Sequence, residues 1–471
     1  MLSKILDSLI SLIPQVKPPE KPLNIKQRLL FTGIIVLLYF FLYNVYAIGV
    51  VKVTTEQNEL LSILFASKAG SIITVGIAPV ILASIFFQLL AGSGIIEIDI
   101  NDPYQRARYQ GAQKFLAFGI ALLQSFLYAT SGYVTVIRGF EIFVAFQFFV
   151  GAIILMLLDE AVAKHGIGSG ISLFIACGVA FSLVGGFFRY VLPSTINYLL
   201  QSNFTQATYT LLPLFFSILV IVISVYAYKI KVEVPISFQL ARGYGGRFPI
   251  PLLYVSNLPV ILASSLIFLL SSWFMIFANS TGIVGSISKF FAYYTNQGGR
   301  LVLSGGLIYL ISPNFPVPYF IGYDSYLNFF LKGTSKWYFG DNYIEVPEWV
   351  HVVVYLVSMA LLCAMFGLLW IETTGQNPEE VAKQMHEIGW QIPGYRRDPR
   401  VIQKILENYI PVITVLGSIF VGLLAGIATL TGALGTGMGL LLLVGIINDF
   451  SQRLKAEGFF EVYPSITKII K

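Results

Sequence analysis

The chain has 471 residues, of which 56% are hydrophobic and only 11% charged, with a formal net charge of +6. Soluble domains carry about 25% charged residues, so a water-soluble globular fold is excluded. The two cysteines, Cys177 and Cys363, lie in apolar runs, and the three histidines, His165, His351 and His386, are far apart. This excludes a disulfide framework and any local metal-binding motif.

In chain order, residues 1–27 form a short N-terminal segment containing Pro18-Pro19-Glu20-Lys21-Pro22 and no signal-peptide pattern. Ten apolar runs long enough to cross a bilayer follow, since a crossing needs about 20 residues. They lie near 28–50, 71–92, 114–136, 141–163, 169–192, 209–229, 257–279, 349–371, 409–429 and 433–450. Between the first two, Asn58 to Lys68 has helical periodicity but is too short to cross. Such a half-helix survives at membrane depth only if protein buries it or it lines a cavity.

Ten crossings place both termini on one side. Counting Lys and Arg along the alternate segments puts 22 on the side of the termini and 8 on the other. The positive-inside rule assigns the richer side, with residues 451–471, to the cytoplasm.

Two polar loops face that side. Residues 230–252 read as a hairpin with a Gly-rich tip at Gly243-Tyr-Gly-Gly. Residues 372–408 contain Asn377-Pro-Glu-Glu, the start of a short capped helix. The opposite face carries one long aromatic loop, 280–346, which reads as an interfacial cap; within it Leu301–Ile311 is too short to cross.

The span interiors hold almost no ionisable residues; Asp159, Glu160 and Glu372 sit at cytoplasmic ends. Proton- or ion-coupled carriers place such groups at mid-membrane, which argues against a secondary transporter with inverted repeats. An intramembrane enzyme lacks its acid–base pair or metal ligands. A passive small-solute channel leaves the two cytoplasmic loops unexplained. Glycine runs at Gly166-Ile-Gly-Ser-Gly170 and Gly435-Thr-Gly-Met-Gly439 open the fifth and tenth spans from opposite faces. They suit close helix packing and two five-span halves related by inversion.

Motifs in order along the chain carry a family resemblance: Ile77-Ala-Pro-Val, Gln88-Leu-Leu-Ala-Gly-Ser-Gly, and Asp159-Glu with Lys164-His-Gly-Ile-Gly-Ser-Gly-Ile-Ser-Leu-Phe-Ile. Tyr254-Val-Ser-Asn-Leu-Pro-Val-Ile-Leu, Glu372-Thr-Thr-Gly and Gly432-Ala-Leu-Gly-Thr-Gly-Met-Gly complete the set. The sequence resembles the pore-forming subunits of the Sec protein-conducting channel, SecY and Sec61 alpha, in their archaeal and eukaryotic branch. The resemblance covers nearly the whole chain except the long loop 280–346.

The resemblance implies an all-α membrane protein of ten transmembrane helices, in two inverted five-helix halves (28–208 and 209–450) around a central pore. It implies no catalysis and no cofactor. A plug helix near 58–69, with Leu60, Leu61, Ile63 and Leu64, would fill the outer funnel. Ile77, Ile81, Ile171, Ile175, Ile261 and Leu442 would form the pore ring, a soft apolar seal that excludes water. A lateral gate between spans two and three and spans seven and eight would include Gln124 and Asn257. The third polar position of that seam is Leu82 here, which predicts a more apolar gate. Arg242, Arg247, Arg396 and Arg397 would dock the ribosome through phosphates of its RNA. The implied partners are small membrane subunits of the SecE/Sec61 gamma type and Sec61 beta type, the ribosome, signal sequences, nascent polypeptides and the lipid bilayer. The implied location is the cell membrane, or the endoplasmic reticulum membrane in a eukaryote.

Overall fold

A computed structural model describes residues 14, 16–21, 23–51, 66–92, 103–130, 133–238, 245–277, 282–297, 300–316, 318–339, 342–387, 390–391 and 399–456. Its bundle is built from ten principal helices: α1 (Ile25–Asn44), α2 (Ala78–Gly92), α3 (Pro103–Thr130), α4 (Glu141–His165), α5 (Gly170–Leu200), α6 (Phe204–Lys229), α7 (Leu258–Ile276), α8 (Glu348–Thr373), α9 (Pro399–Leu430) and α10 (Gly437–Ala456). Among the described residues, eight helices are long and apolar enough to cross a membrane. The other two are α2, with 15 residues, and α10, whose last turns carry Arg453 and Lys455.

The helix bounds depart from the apolar runs for physical reasons. The second run was expected from 71, but α2 starts at Ala78. Before it, the Thr74 hydroxyl donates to the Ser71 carbonyl at 2.5 Å and Gly76 has a positive φ of 63°. These turns keep residues 71–77 out of the helix while burying Ile73 and Val75. In contrast, α3 and α9 begin well before their apolar windows. Their first turns carry Arg106, Arg108, Arg400 and Lys404, so hydropathy misses helix that leaves the bilayer. The helix α5 runs on through a π turn at Phe187–Val191.

Small residues set the closest approaches. Where α8 meets α9, a Cβ on Gly422 would lie 2.9 Å from the Cys363 sulfur. Lipid offers no hydrophobic drive between helices, so backbones gain by approaching until side chains interlock. Tyr39 of α1 stacks on Phe174 of α5 at 4.9 Å, inside a core that draws on all ten helices.

Both ends of the bundle carry strands. At one end, β1 (Lys231–Phe238) and β2 (Gly245–Pro251) form the expected hairpin. A two-residue strand, β7 (Trp390–Gln391), pairs with Ser237 and Phe238 of β1 and joins both polar loops into one sheet. Beneath it lies a second apolar core of Ile250, Val255, Met385, Ile402, Leu406 and Ile410. Here the helix Pro378–Glu387 is capped as expected, the Asn377 side-chain oxygen accepting the Glu380 N–H at 2.8 Å.

At the opposite end, the long loop folds into the expected cap, but around a sheet that hydropathy did not anticipate. Its sheet has the order β3 (Tyr293–Gln297), β4 (Arg300–Gly305), β5 (Thr334–Phe339), β6 (Asn342–Pro347), with β4 and β5 parallel. Short helices at Gly282–Phe291, Leu307–Ile311, Pro318–Ile321 and Tyr323–Lys332 complete it.

Candidate channel seal and gate

Six aliphatic side chains enter the core from four separated segments. Ile77 and Ile81 stand at the start of α2, Ile171 and Ile175 in the first turns of α5, Ile261 on α7 and Leu442 on α10. The i, i+4 spacing puts Ile171 and Ile175 on one face of α5, while Ile77 stands just before α2, its carbonyl accepting the Ile81 N–H at 3.3 Å. Ile77, Ile81, Ile175 and Leu442 are buried in one continuous core, and Ile171 and Ile261 pack half-buried against it. Among the described residues, no acidic or basic side chain belongs to that core. Such a lining gives water no partner, and it yields to any passing side chain because its contacts are dispersive.

The glycine run before α5 is a joint. Asp159 Oδ1 of α4 accepts the Ile171 N–H at 2.8 Å, and the carboxylate also bonds the Gly170 N–H and Ser169. A Cβ on Gly170 would lie 2.5 Å from the Asp159 Cα. On the other side, Arg28 Nε donates to the Gly166 carbonyl at 2.9 Å, and the Thr32 hydroxyl accepts the Ile167 N–H at 3.1 Å. The first turn of α5, with Ile171, is thereby pinned to α1 and α4. Glu160 ties α4 to α3 through Lys114 at 3.0 Å and pairs with Lys164 at 2.7 Å.

Asn257 caps α7 and its amide Nδ2 donates to the Leu441 carbonyl of α10 at 2.5 Å. It therefore holds the residue next to Leu442. The Tyr228 and Ser256 hydroxyls share a hydrogen bond of 2.9 Å beside it.

The helix α2 packs against α3 and against both α7 and α8, so it forms one wall of the expected seam. Leu82 is buried there. Gln124 of α3 is also buried, and neither atom of its amide has a partner among the described residues. The Tyr128 hydroxyl of α3 bonds Ser272 of α7. Sequence reading missed this pair, for which a phenol facing a hydroxyl on another span leaves no local signal.

Two further sets of residues, the plug leucines with Ile63 and the docking arginines, are placed only in part or not at all. Leu60, Leu61, Ile63 and Leu64, and Arg242, Arg396 and Arg397, lie outside the described residues. Arg247 stands in β2 opposite Pro235 of β1. The stem after the first set begins at Ala66, buried with φ of 49°.

A family model for SecY matches residues 71–451. The chain is 35% identical to the protein translocase subunit SecY of Methanocaldococcus jannaschii, over 99% of each chain. It is 31% identical to that of Pyrococcus furiosus, over 97% of this chain and 96% of the relative. Among solved structures it is similar to a protein-conducting channel, at a TM-score of 0.79 and 33% identity over 99% of this chain and all of the other. It is also similar to Sec61 in a canine ribosome–channel complex from the endoplasmic reticulum, at a TM-score of 0.75 and 33% identity with the same coverage.

Proposed function

The chain belongs to the SecY family, and from that premise we propose how its own residues carry out the family's task. It is a multi-pass membrane channel that passes unfolded polypeptides across the bilayer and releases transmembrane segments sideways into lipid. The observation that supports the residue assignments is that four of the six aliphatic side chains belong to one apolar core and the other two, Ile171 and Ile261, pack against it.

In this reading Ile77, Ile81, Ile171, Ile175, Ile261 and Leu442 close around the polypeptide path and part as it enters. The segment 58–69, with Leu60, Leu61, Ile63 and Leu64, plugs the outer side. One relative's structure is described by its plug domain, which stabilises that channel's closed state and maintains a membrane seal. The lateral gate opens along α2 and α3 against α7 and α8. Leu82 supplies apolar contact, and the buried, unpartnered amide of Gln124 is a site that an entering segment can satisfy. Asn257 acts from the seam's far side by holding α10.

The sheet β2–β1–β7 is the cytoplasmic platform, and both termini lie on its side. Arg242, Arg247, Arg396 and Arg397 leave this platform toward the ribosome, the partner in the canine complex. Small subunits of the SecE/Sec61 gamma and Sec61 beta types cover part of the outer helix faces.

Purified channel with its small subunits, reconstituted in vesicles, tests the reading. A signal-bearing precursor should become protease-protected inside, while the same precursor without its signal remains digestible. Protection of both alike, or of neither, removes the translocation reading.

A further inference from the structure

We propose that the cap formed by residues 282–347 is seated in the outer lipid leaflet, with Leu327, Leu331 and Trp349 sunk among the acyl chains beside α8. Trp349, Val353, Val357, Leu361 and Met365 are all exposed and recur every fourth residue along α8. Residues four apart share a helix face, so they make one inclined stripe. In a membrane channel that stripe faces lipid, and Trp349 at its outer end marks the interface where indole rings settle.

The cap continues this face at the same depth. The helix Tyr323–Lys332 ends at Gly333, whose carbonyl accepts the Glu348 N–H at 3.0 Å. That bond sets Leu331, 78% exposed, close to Trp349, 59% exposed. The other end of the helix is held as well, because the Tyr326 hydroxyl bonds the Leu430 carbonyl at the last residue of α9. The helix therefore lies level with the outer ends of α8 and α9. Tyr326 is turned inward, while Leu327 and Leu331 are exposed at i, i+4 on the outer side. Exposed Lys332 follows, a cation on an apolar stem that reaches phosphates from below.

Lipid is the occupant the surface selects, because the helix bearing exposed Leu327 and Leu331 is tied through Gly333 to Glu348, next to Trp349 at the head of the α8 stripe. A short helix held to protein by buried Tyr326, with exposed Leu327 and Leu331 along one edge and Asp324, Asn328 and Lys332 on the other, is the amphipathic pattern of a segment lying in the interface. The consequence is functional. The cap borders α8, a wall of the proposed gate, so a released segment enters a leaflet already occupied there by protein.

Spin-label accessibility tests this. On a Cys177→Ala, Cys363→Ala background, single labels go to Leu327→Cys, Leu331→Cys, Val357→Cys and Ser325→Cys in nanodiscs. Position 357 is the lipid reference on α8, and Ser325 is an exposed cap residue on the opposite face of its helix. The expected result is that 327 and 331 follow 357, with more collisions from oxygen than from a water-soluble nickel chelate, while 325 shows the reverse. If 327 and 331 behave as 325 while 357 stays in lipid, the cap stands in water and the inference fails alone. Shielding of 327 and 331 from both reagents means that protein covers them, which also overturns it. A water-exposed 357 would instead undo the reading of α8 as a membrane helix, on which the inference rests.

Discussion

Gly445 of α10 has room for no more than hydrogen: a Cβ there would lie 2.2 Å from Asn257 Nδ2 and 2.3 Å from the Tyr228 hydroxyl. The displaced amide is the one that holds Leu441. Gly445→Ala should therefore loosen α10 from α7 and lower stability by about 1–3 kcal/mol, the usual cost of overpacking. Thermal unfolding in detergent reads it, and an unchanged midpoint would mean the site relaxes freely. The pore ring gives the sharper residue-scale test. Ile81→Asn with Ile175→Asn places two amides among the buried apolar side chains of the core. Each buried unpaired amide costs about 1–3 kcal/mol, and water entering to pair with it lowers the barrier to ions. The double variant should insert and leak small ions at rest in planar bilayers. The control is Leu38→Asn on α1, where the side chain is exposed to lipid and conductance should stay near wild type. Deleting the plug alone should leak less than the double variant if the ring is the main seal. A silent double variant would mean the constriction lies elsewhere.

At the scale of elements, a buried pair within α8, Glu348 and His351, reaches the cap through Ser312 and Tyr309. His351 Nδ1 meets Glu348 Oε2 at 3.0 Å, His351 Nε2 meets the Ser312 carbonyl at 2.9 Å, and the Tyr309 hydroxyl donates to Glu348 Oε1 at 3.1 Å. Both members of the pair are almost fully buried. Removing one partner of such a pair costs about 3–5 kcal/mol, because the other stays buried without its match. His351→Ala should free the cap before the bundle unfolds, and limited proteolysis should cut within 300–316 first. An unaltered cleavage pattern would show that sheet and aromatic packing hold the cap without the pair. At the other end, β7 brings the two polar loops into one sheet, and Arg242 and Arg396 are the arginines proposed to dock the ribosome from these loops. Arg242→Glu with Arg396→Glu should weaken ribosome binding and flatten its salt dependence, since fewer phosphate contacts release fewer counterions. Equal affinity and slope across a salt series would remove both residues from the interface.

For the whole molecule, the open quantity is orientation. The 22-to-8 division of Lys and Arg predicts that the platform end faces the cytoplasm with both termini. Arg28 at the start of α1 bonds the Gly166 carbonyl, and Arg453 at the end of α10 lies beside Gly168, so both helix ends reach the same turn after α4, as ten crossings require. Single cysteines at 242 and 336, on a background lacking Cys177 and Cys363, check this in intact cells. An impermeant thiol reagent should reach 336 from outside and leave 242 unlabelled. Labelling of 242 from outside would invert the arrangement.

What the sequence by itself determined is written along the chain. Run length and charge scarcity decided membrane class and the number of spans, and the motif around Gly166–Gly170 carried the family. The Asn377 cap and the hairpin at 230–252 were legible for the same reason: their partners lie a few residues away. The tertiary structure decided what depends on distant partners. A two-residue strand at Trp390 has no period to detect, yet it fuses two loops separated by more than 100 residues. The resemblance placed Asn257 at the seam; that its amide meets the Leu441 carbonyl of α10, where Gly445 leaves it room, depends on packing that no sequence motif records. The cap looked like an aromatic loop until β4 and β5 paired in parallel across an intervening 28 residues. Hydropathy and periodicity measure a residue against its neighbours in the chain; packing and hydrogen bonding answer to neighbours in space.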